Sequence, residues 1–321
     1  MLSPDISVVI PTYNRSSMLE EALASVLSQD FDGAVEIIVV DDNSQDRTSE
    51  IVSQKYPHIH LISLKHNVGA YVARNLALSE TKGKYIAFLD SDDLWERNYL
   101  RSQIEALKGK ERCFSVSALV TWNTVENCKW VDIQKPALKK YNSPFHHLLV
   151  EGSFIFTPSS VIFPRQVFDE LGLFDETYRY GGDTELYIRC LLGGYQAIFT
   201  ELPVAIRRIH GKGQATDAKN IEIRKESRIA RANKFYHLIE KQFDIVPLRQ
   251  IYAGIDTTFA KQYLIEKKIL CWLKLSLKSA YNSSPGYALY NMMLDLRCLL
   301  KIGTRLKMMG YSFKKWFHLP N

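Results

Sequence analysis

The sequence predicts an α/β protein: an open, mostly parallel sheet flanked by helices, followed by a helical C-terminal region. Three observations carry this. The first hundred residues alternate between short β-branched runs and stretches of helical period. Each run stops in a polar, turn-forming segment, as a strand of a parallel sheet does before its crossover. From about residue 219 the apolar pattern is helical in character.

The elements follow in order. Residues 6–10 form a first β-branched run and residues 36–40 a second. Between them Ser17, Met18, Leu19 and Glu20 read as a capping box, and Leu19, Ala22, Leu23, Val26 and Leu27 share one helical face. A second helix is expected near Asp46, a weaker strand at 60–64, a third helix over 70–78, a fourth strand at 85–89 and a fourth helix after Trp95. Such β-α-β-α-β-α-β order builds an open sheet whose ligands bind beyond the carboxyl ends of its strands. Residues 111–175 are broken by Pro136, Pro144, Pro158 and Pro164, so a few strands and long loops are expected there. Pro247 and the run Asn282-Ser283-Ser284-Pro285-Gly286 interrupt the helical region.

With 321 residues, 46% of them hydrophobic, the chain can bury a full core. Its five cysteines include no C-x-x-C pair, which indicates neither a zinc ribbon nor a disulfide framework and fits a reducing cytoplasm. Pro4, Asp5 and Pro11 interrupt the first apolar stretch, so no signal peptide is expected, and no apolar run reaches the ~18 residues of a membrane crossing. Charge is uneven. Residues 261–321 hold eleven Lys and Arg against two acids, whereas the whole chain is only +6. A near-neutral body therefore carries a basic tail, which implies an anionic partner.

The strand ends hold the chemistry. After the first run comes Pro11-Thr12-Tyr13-Asn14-Arg15, with none of the glycines that a dinucleotide or ATPase phosphate loop needs. After the second comes Asp41-Asp42-Asn43-Ser44, either a ligand-binding pair or a turn held by its own side chains. After the fourth comes Asp90-Ser91-Asp92-Asp93. In extended chain, residues i and i+2 point the same way, so Asp90 and Asp92 present adjacent carboxylates. That arrangement suits Mg²⁺ or Mn²⁺, although a solvated acidic turn is the plain alternative.

Together these segments resemble the family 2 glycosyltransferases of the GT-A fold. The resemblance rests on S-V-V-I-P-T-Y-N-R at 7–15, I-I-V-V-D-D-N-S at 37–44, N-V-G-A-Y-V-A-R-N at 67–75 and G-K-Y-I-A-F-L-D-S-D-D at 83–93. It extends through S-S-V-I-F at 159–163, L-G-L-F-D-E at 171–176 and G-D-T-E-L-Y-I-R at 182–189. It implies a catalytic domain at 1–218, with a nucleotide-binding half at 1–110 and an acceptor half at 111–218, then a basic helical region at 219–321. By position it implies that Pro11, Thr12 and Tyr13 line the nucleoside pocket, that Asp42 or Asp41 bonds the base, and that Arg74 faces the donor. Asp90 and Ser91 would lie on the nucleotide side and Asp92 would bind the metal. The family's catalytic base lies in an acidic pair, usually Glu-Asp, before a Leu-aromatic-x-Arg helix. Here the pair reads Gly182-Asp183, so Asp183 is the expected base and the glutamate is missing. Asp183 also suits a helix N-cap, and Glu185 with Arg189 suits an ion pair at i, i+4. His210 stands where related enzymes often have a histidine near the diphosphate or metal, with Arg207 and Arg208 as alternative phosphate partners.

The implied activity is inverting, metal-dependent transfer of a sugar, UDP-linked first among the donors, to a glycan or lipid-linked acceptor of a bacterial surface-polysaccharide pathway. The aromatic and basic residues of 261–321 suit an anionic membrane surface, at about 1 kcal/mol per basic residue, or else an ordinary helical subdomain. Nothing resembles a nucleic-acid-binding motif. The implied location is cytoplasmic, peripheral at the inner face of the cell membrane. A non-catalytic scaffold of the same fold is the rival from another class.

Overall fold

The computed structural model describes residues 3–138, 143–211, 214, 217–283, 286, 289, 291–293 and 295. The first elements are β1 (Ile6–Thr12), α1 (Ser16–Leu27), β2 (Val35–Asp41), α2 (Thr48–Lys55), β3 (His60–Ser63), α3 (Ala70–Glu80) and β4 (Tyr85–Phe88). After them come β5 (Leu94–Trp95), α4 (Tyr99–Leu107), β6 (Cys113–Asn123), β7 (Cys128–Asp132), α5 (Pro144–Val150), β8 (Val161–Pro164), α6 (Gln166–Leu171), α7 (Gly182–Leu192) and β9 (Gln196–Ile209). Three longer helices follow: α8 (Ile221–Ile239), α9 (Leu248–Ile265) and α10 (Ile269–Asn282).

The chain divides into two compact units, one of Met1–Pro136 with Ser153–Ala215, the other of Ala137–Gly152 with Thr216–Asn321. The first unit holds the nine-stranded sheet, in order β3-β2-β1-β4-β8-β6-β9-β5, with β7 paired to β6. Pairing is parallel among β1 to β4 and between β6 and β9, and antiparallel at β4/β8, β6/β8, β6/β7 and β5/β9. The expected first four strands thus form one parallel block, and the proline-broken stretch adds a mixed half.

Alternation along β1 sends Ile6, Val8 and Ile10 to one face, where they meet Leu19 and Leu23 of α1, Val52 of α2 and Tyr99, Leu100 and Leu107 of α4. The other face carries an aromatic cluster: Phe88 lies 6.3 Å from Phe163, 5.9 Å from Phe168 and 5.3 Å from Phe174, centroid to centroid. Because β1 and the inner part of β2 are buried on both faces, they read as continuous apolar runs.

One expected detail is overturned. The Ser17 capping box does not form, because the N-cap of α1 is Arg15 and its side chain makes no cap hydrogen bond. The cap comes from another loop: Asp46 accepts the Ser16 backbone N–H at 3.0 Å and, with its other oxygen, the Thr48 N–H at 3.1 Å that opens α2.

The second unit joins α5 to α8, α9 and α10. Phe145 packs against Phe243 with centroids 4.7 Å apart. Gly254 of α9 faces Val150 so closely that a Cβ there would lie 2.3 Å from a Val150 methyl. Asp256, buried between these helices, pairs with Lys225 at 2.7 Å and with Lys278 at 3.6 Å. These contacts draw residues 137–152, assigned from sequence to an acceptor half, into the helical unit. On α10, Trp272 and Leu275 are buried while Leu277 and Tyr281 are exposed. Most of the basic tail, including Tyr287, Tyr290, Trp316 and Phe317, lies outside the described residues. Among the described residues no helix is long and apolar enough to cross a membrane.

Candidate active site

The loops after β1 and β2 are locked to each other. Asn14 and Asn43 both adopt the left-handed backbone that asparagine tolerates, with φ of 51° and 64°. The Asn14 N–H donates to Ser44 Oγ at 2.8 Å, and the Gln45 N–H donates to Asn14 Oδ1 at 2.6 Å. Within this frame Pro11 and Thr12 are buried, and Tyr13, just past the carboxyl end of β1, stands 44% exposed. Among the described residues Thr12 Oγ1 and Ser91 Oγ have no hydrogen-bond partner.

Asp41 and Asp42 are both buried and both hold backbone or hydroxyl groups. Asp41 accepts the Ser44 N–H at 3.0 Å and the Ser49 hydroxyl. Asp42 accepts the N–H of Val68 at 2.7 Å and of Gly69 at 2.9 Å, one on each oxygen. Asp42 thereby fixes the entry to α3, whose N-cap is Gly69 at φ 91°. The turn-like alternative describes Asp41, while Asp42 reaches across 26 residues to aim the next helix.

That helix delivers Arg74. The residue is 4% exposed, and its guanidinium pairs with Asp90 and lies 5.5 Å from the Tyr71 ring, 5.9 Å from Phe88 and 5.8 Å from Phe174. A buried charge needs such a partner, and this is no surface ion pair. Burial raises the Asp90 carboxyl above its ordinary value, against the opposing pull of Arg74.

Asp92 sits where two cationic or polar groups converge: Arg15 approaches its Oδ2 at 3.0 Å and His210 Nε2 approaches the same oxygen at 3.0 Å. Burial would raise this carboxyl, but the His210 hydrogen bond and the Arg15 charge outweigh it and hold Asp92 below its ordinary value. Asp90 and Asp92 are thus pushed apart in acidity: burial prevails at Asp90, whereas His210 and Arg15 prevail at Asp92. Among the described residues no group of three or more His, Cys, Asp or Glu side chains is close enough to hold a metal ion without further ligands. Arg208, considered from sequence as a phosphate partner, is instead a strut. It is buried, donates to the Asp92 carbonyl and pairs with Glu21, and its N–H donates to Asp93 at 3.1 Å.

Asp93 was not singled out from the sequence. Its carboxyl accepts the Thr157 hydroxyl at 2.8 Å and the Ser159 hydroxyl at 2.7 Å, and Ser159 Oγ accepts the Asp90 N–H at 3.0 Å. Burial, then the charges of Asp92 and Asp90, push Asp93 up to about 7. The only local hint was a third acid in the run, because its partners lie more than sixty residues away.

Asp183 is the second residue of α7, whose N-cap is Gly181 in the left-handed region, so Asp183 is not the N-cap itself. It is half-buried and receives the Tyr71 hydroxyl at 3.3 Å. Glu185 and Arg189 form the expected i, i+4 pair at 2.8 Å, and Arg189 also donates to the carbonyls of Leu171 at 2.6 Å and Leu173 at 2.8 Å. Arg74, paired with Asp90, also lies over the ring of Tyr71, whose hydroxyl donates to Asp183, so one buried cation connects a strand-end acid to the α7 acid.

Comparison with known proteins agrees with this geometry. The chain is 42% identical over 115 residues to a Bacillus subtilis protein, TuaG, provisionally named a teichuronic acid biosynthesis glycosyltransferase; the match covers 35% of this chain and 45% of that one. It is 40% identical over 114 residues to WfaP of Escherichia coli, named a UDP-Glc:alpha-D-GlcNAc-diphosphoundecaprenol beta-1,3-glucosyltransferase, again covering 35% and 45%. Each match therefore spans less than half of the relative's length. Among solved structures, S. aureus TarS 1–349 with UDP-GlcNAc superposes with a TM-score of 0.56 at 17% identity, over 86% of this chain and 91% of that one. The mannosyltransferase PcManGT of Pyrobaculum calidifontis, solved with GDP-Man and Mn²⁺, gives 0.54 at 18% identity, over 92% and 88%. These two likenesses show the fold. The profile described as "Glycosyl transferase family 2" matches residues 7–172, more than half of the chain. With that match added to the strand-end acids and the sheet order, the chain belongs to glycosyl transferase family 2 and has the GT-A fold.

Proposed function

We propose that the protein is an inverting, metal-dependent glycosyltransferase, moving a sugar from a UDP-sugar to a hydroxyl of a lipid-linked or surface-polysaccharide acceptor. One observation supports the reading: Arg74 pairs with Asp90 and lies over the Tyr71 ring at 5.5 Å, and the Tyr71 hydroxyl donates to Asp183, which links a strand-end acid to the acid of α7. The names of the relatives support the donor and setting, since WfaP is named for UDP-glucose and a diphosphoundecaprenol-linked acceptor.

On the donor side, the exposed ring of Tyr13 offers a surface for the base, and Thr12 Oγ1 offers an unpaired hydrogen-bonding group. Asp42 acts through the backbone, holding the segment that starts α3 and hence Arg74. Asp92 and His210 fit a divalent ion in their chemistry: a carboxylate held ionised and an imidazole nitrogen already meet, and phosphate oxygens would complete the set. Asp92 and His210 would hold Mn²⁺ or Mg²⁺, which when bound would supply Lewis-acid stabilisation of the departing nucleoside diphosphate. Arg15, beside the same Asp92 oxygen, adds a second positive group for the diphosphate. On the acceptor side, Asp183 takes the proton of the attacking hydroxyl as general base. One displacement opposite the leaving group inverts the anomeric carbon. The basic tail rests the enzyme on anionic lipid at the cytoplasmic face of the membrane.

The test follows nucleoside diphosphate release from a panel of nucleotide-sugars with Mn²⁺, with and without EDTA. Release from a UDP-sugar is expected, and EDTA is expected to suppress it. Asp183→Asn is expected to lower transfer by about 10²- to 10⁴-fold while calorimetry shows donor affinity retained. Near-wild-type transfer by that variant overturns the base assignment, and release undiminished by EDTA overturns the metal.

A further inference from the structure

Gly182 stands where the family resemblance has a glutamate, and the space beside it is filled from another element. A Cβ at 182 would lie 3.0 Å from two carbons of the Tyr71 ring. Tyr71 is the second residue of α3, so Asp42, which fixes the start of that helix, also fixes Tyr71. The ring stacks on Phe174 with centroids 5.6 Å apart and planes inclined by 28°, and Arg74 lies over it at 5.5 Å. It is wedged in place.

The hydroxyl at its tip meets the start of α7. The first amides of a helix have no intrahelical acceptor and are usually satisfied by the side chain of the N-cap residue. Here the N-cap is Gly181, which makes no side-chain cap hydrogen bond. What reaches this end of the helix is the Tyr71 hydroxyl, whose O–H donates to Asp183 Oδ1 at 3.3 Å. Burial, then the Asp183 charge, push the phenol far above its ordinary value, so it stays a donor across the working pH range. A donor at 3.3 Å is loose for an O–H···O contact.

We propose that Tyr71 is the positioning residue for Asp183: its hydroxyl, reaching the first turn of α7 from α3, holds the Asp183 carboxylate toward the acceptor, in space that exists because residue 182 is glycine. The inference rests on Asp183 being the base. It also couples the two sides of the site, because the helix that carries Arg74 to the donor carries the group that aims the base.

The experiment is Tyr71→Phe, which keeps the ring, its stack on Phe174 and its contact with Arg74, and removes only the hydroxyl. The expected result is a kcat about tenfold to a hundredfold lower, with donor KM and calorimetric donor affinity within about twofold of wild type. Gly182→Ala, which drives a methyl into the ring, should produce the same split. The double variant should be no worse than the more impaired single one, because both act through one contact. An unchanged kcat in Tyr71→Phe overturns the proposal, as does a fall in kcat matched by an equal loss of donor affinity and melting temperature. Should Gly182→Ala not fold, Tyr71→Phe decides alone. The two claims fail separately: transfer surviving in Asp183→Asn removes the base, whereas a silent Tyr71→Phe beside an inactive Asp183→Asn removes only the positioning role.

Discussion

The acids of this site divide by what their carboxylates touch. Asp42 is a structural anion whose two oxygens each accept one backbone N–H. Asparagine has only one side-chain acceptor atom, so Asp42→Asn leaves one amide unsatisfied and turns a donor toward a donor. A cost of about 1–3 kcal/mol is expected, read as a lower melting temperature, together with weaker UDP binding as α3 and Arg74 lose their anchor. An unchanged melting temperature and affinity would show that Val68 and Gly69 hold that turn unaided. Asp90, Asp92 and Asp93 are adjacent in sequence, yet Arg74, His210 with Arg15, and Thr157 with Ser159 give them three different environments. No spacing rule reveals that difference, because every partner but one comes from a distant segment.

At the level of elements, Asp46 shows how one side chain can start two helices. It accepts the Ser16 N–H for α1 and the Thr48 N–H and hydroxyl for α2. Replacing it with alanine should cost about 1 kcal/mol, as loss of an N-cap does. The sign of its pH dependence is fixed. Burial raises its carboxyl, but the hydrogen bonds from Thr48 and Ser16 outweigh that and hold it below its ordinary value. The stabilisation is therefore present above the ordinary carboxylate value of about 3.9 and fades as pH falls through the lower folded value. The melting-temperature gap between wild type and Asp46→Ala should be open at pH 7 and shrink on acidification below about pH 4; a gap independent of pH would mean the carboxylate charge does not contribute. The capping box at Ser17 misled because residue types at helix starts are easily read, whereas a cap from a loop thirty residues on is not.

For the whole molecule, the unit boundary decides how the basic tail can be tested. A cut after residue 260 would fall inside α9, removing the buried Tyr263 and Leu264. A cut after Asp295 keeps that helix and the Trp272 to Asp295 hydrogen bond of 3.2 Å, and removes six Lys and Arg and no acid. If the tail holds anionic lipid, this form should float less well with anionic vesicles than the full chain, and the difference should shrink with salt. Equal flotation would overturn the membrane role. The parallel block β1 to β4, its helices and the acids at its strand ends were legible in the sequence because they depend on short-range periodicity and on the rule that ligands meet strand ends. The second half of the sheet was not, since β6, β8 and β9 pair across segments interrupted by prolines and by α5, which folds with the other unit. Residue types and their order thus fixed the family, the fold class and the candidate acids. Folding decided what each carboxylate touches, why Arg208 is a strut and why Tyr71 meets Asp183, because those outcomes depend on distances between residues that the chain's order leaves unrelated.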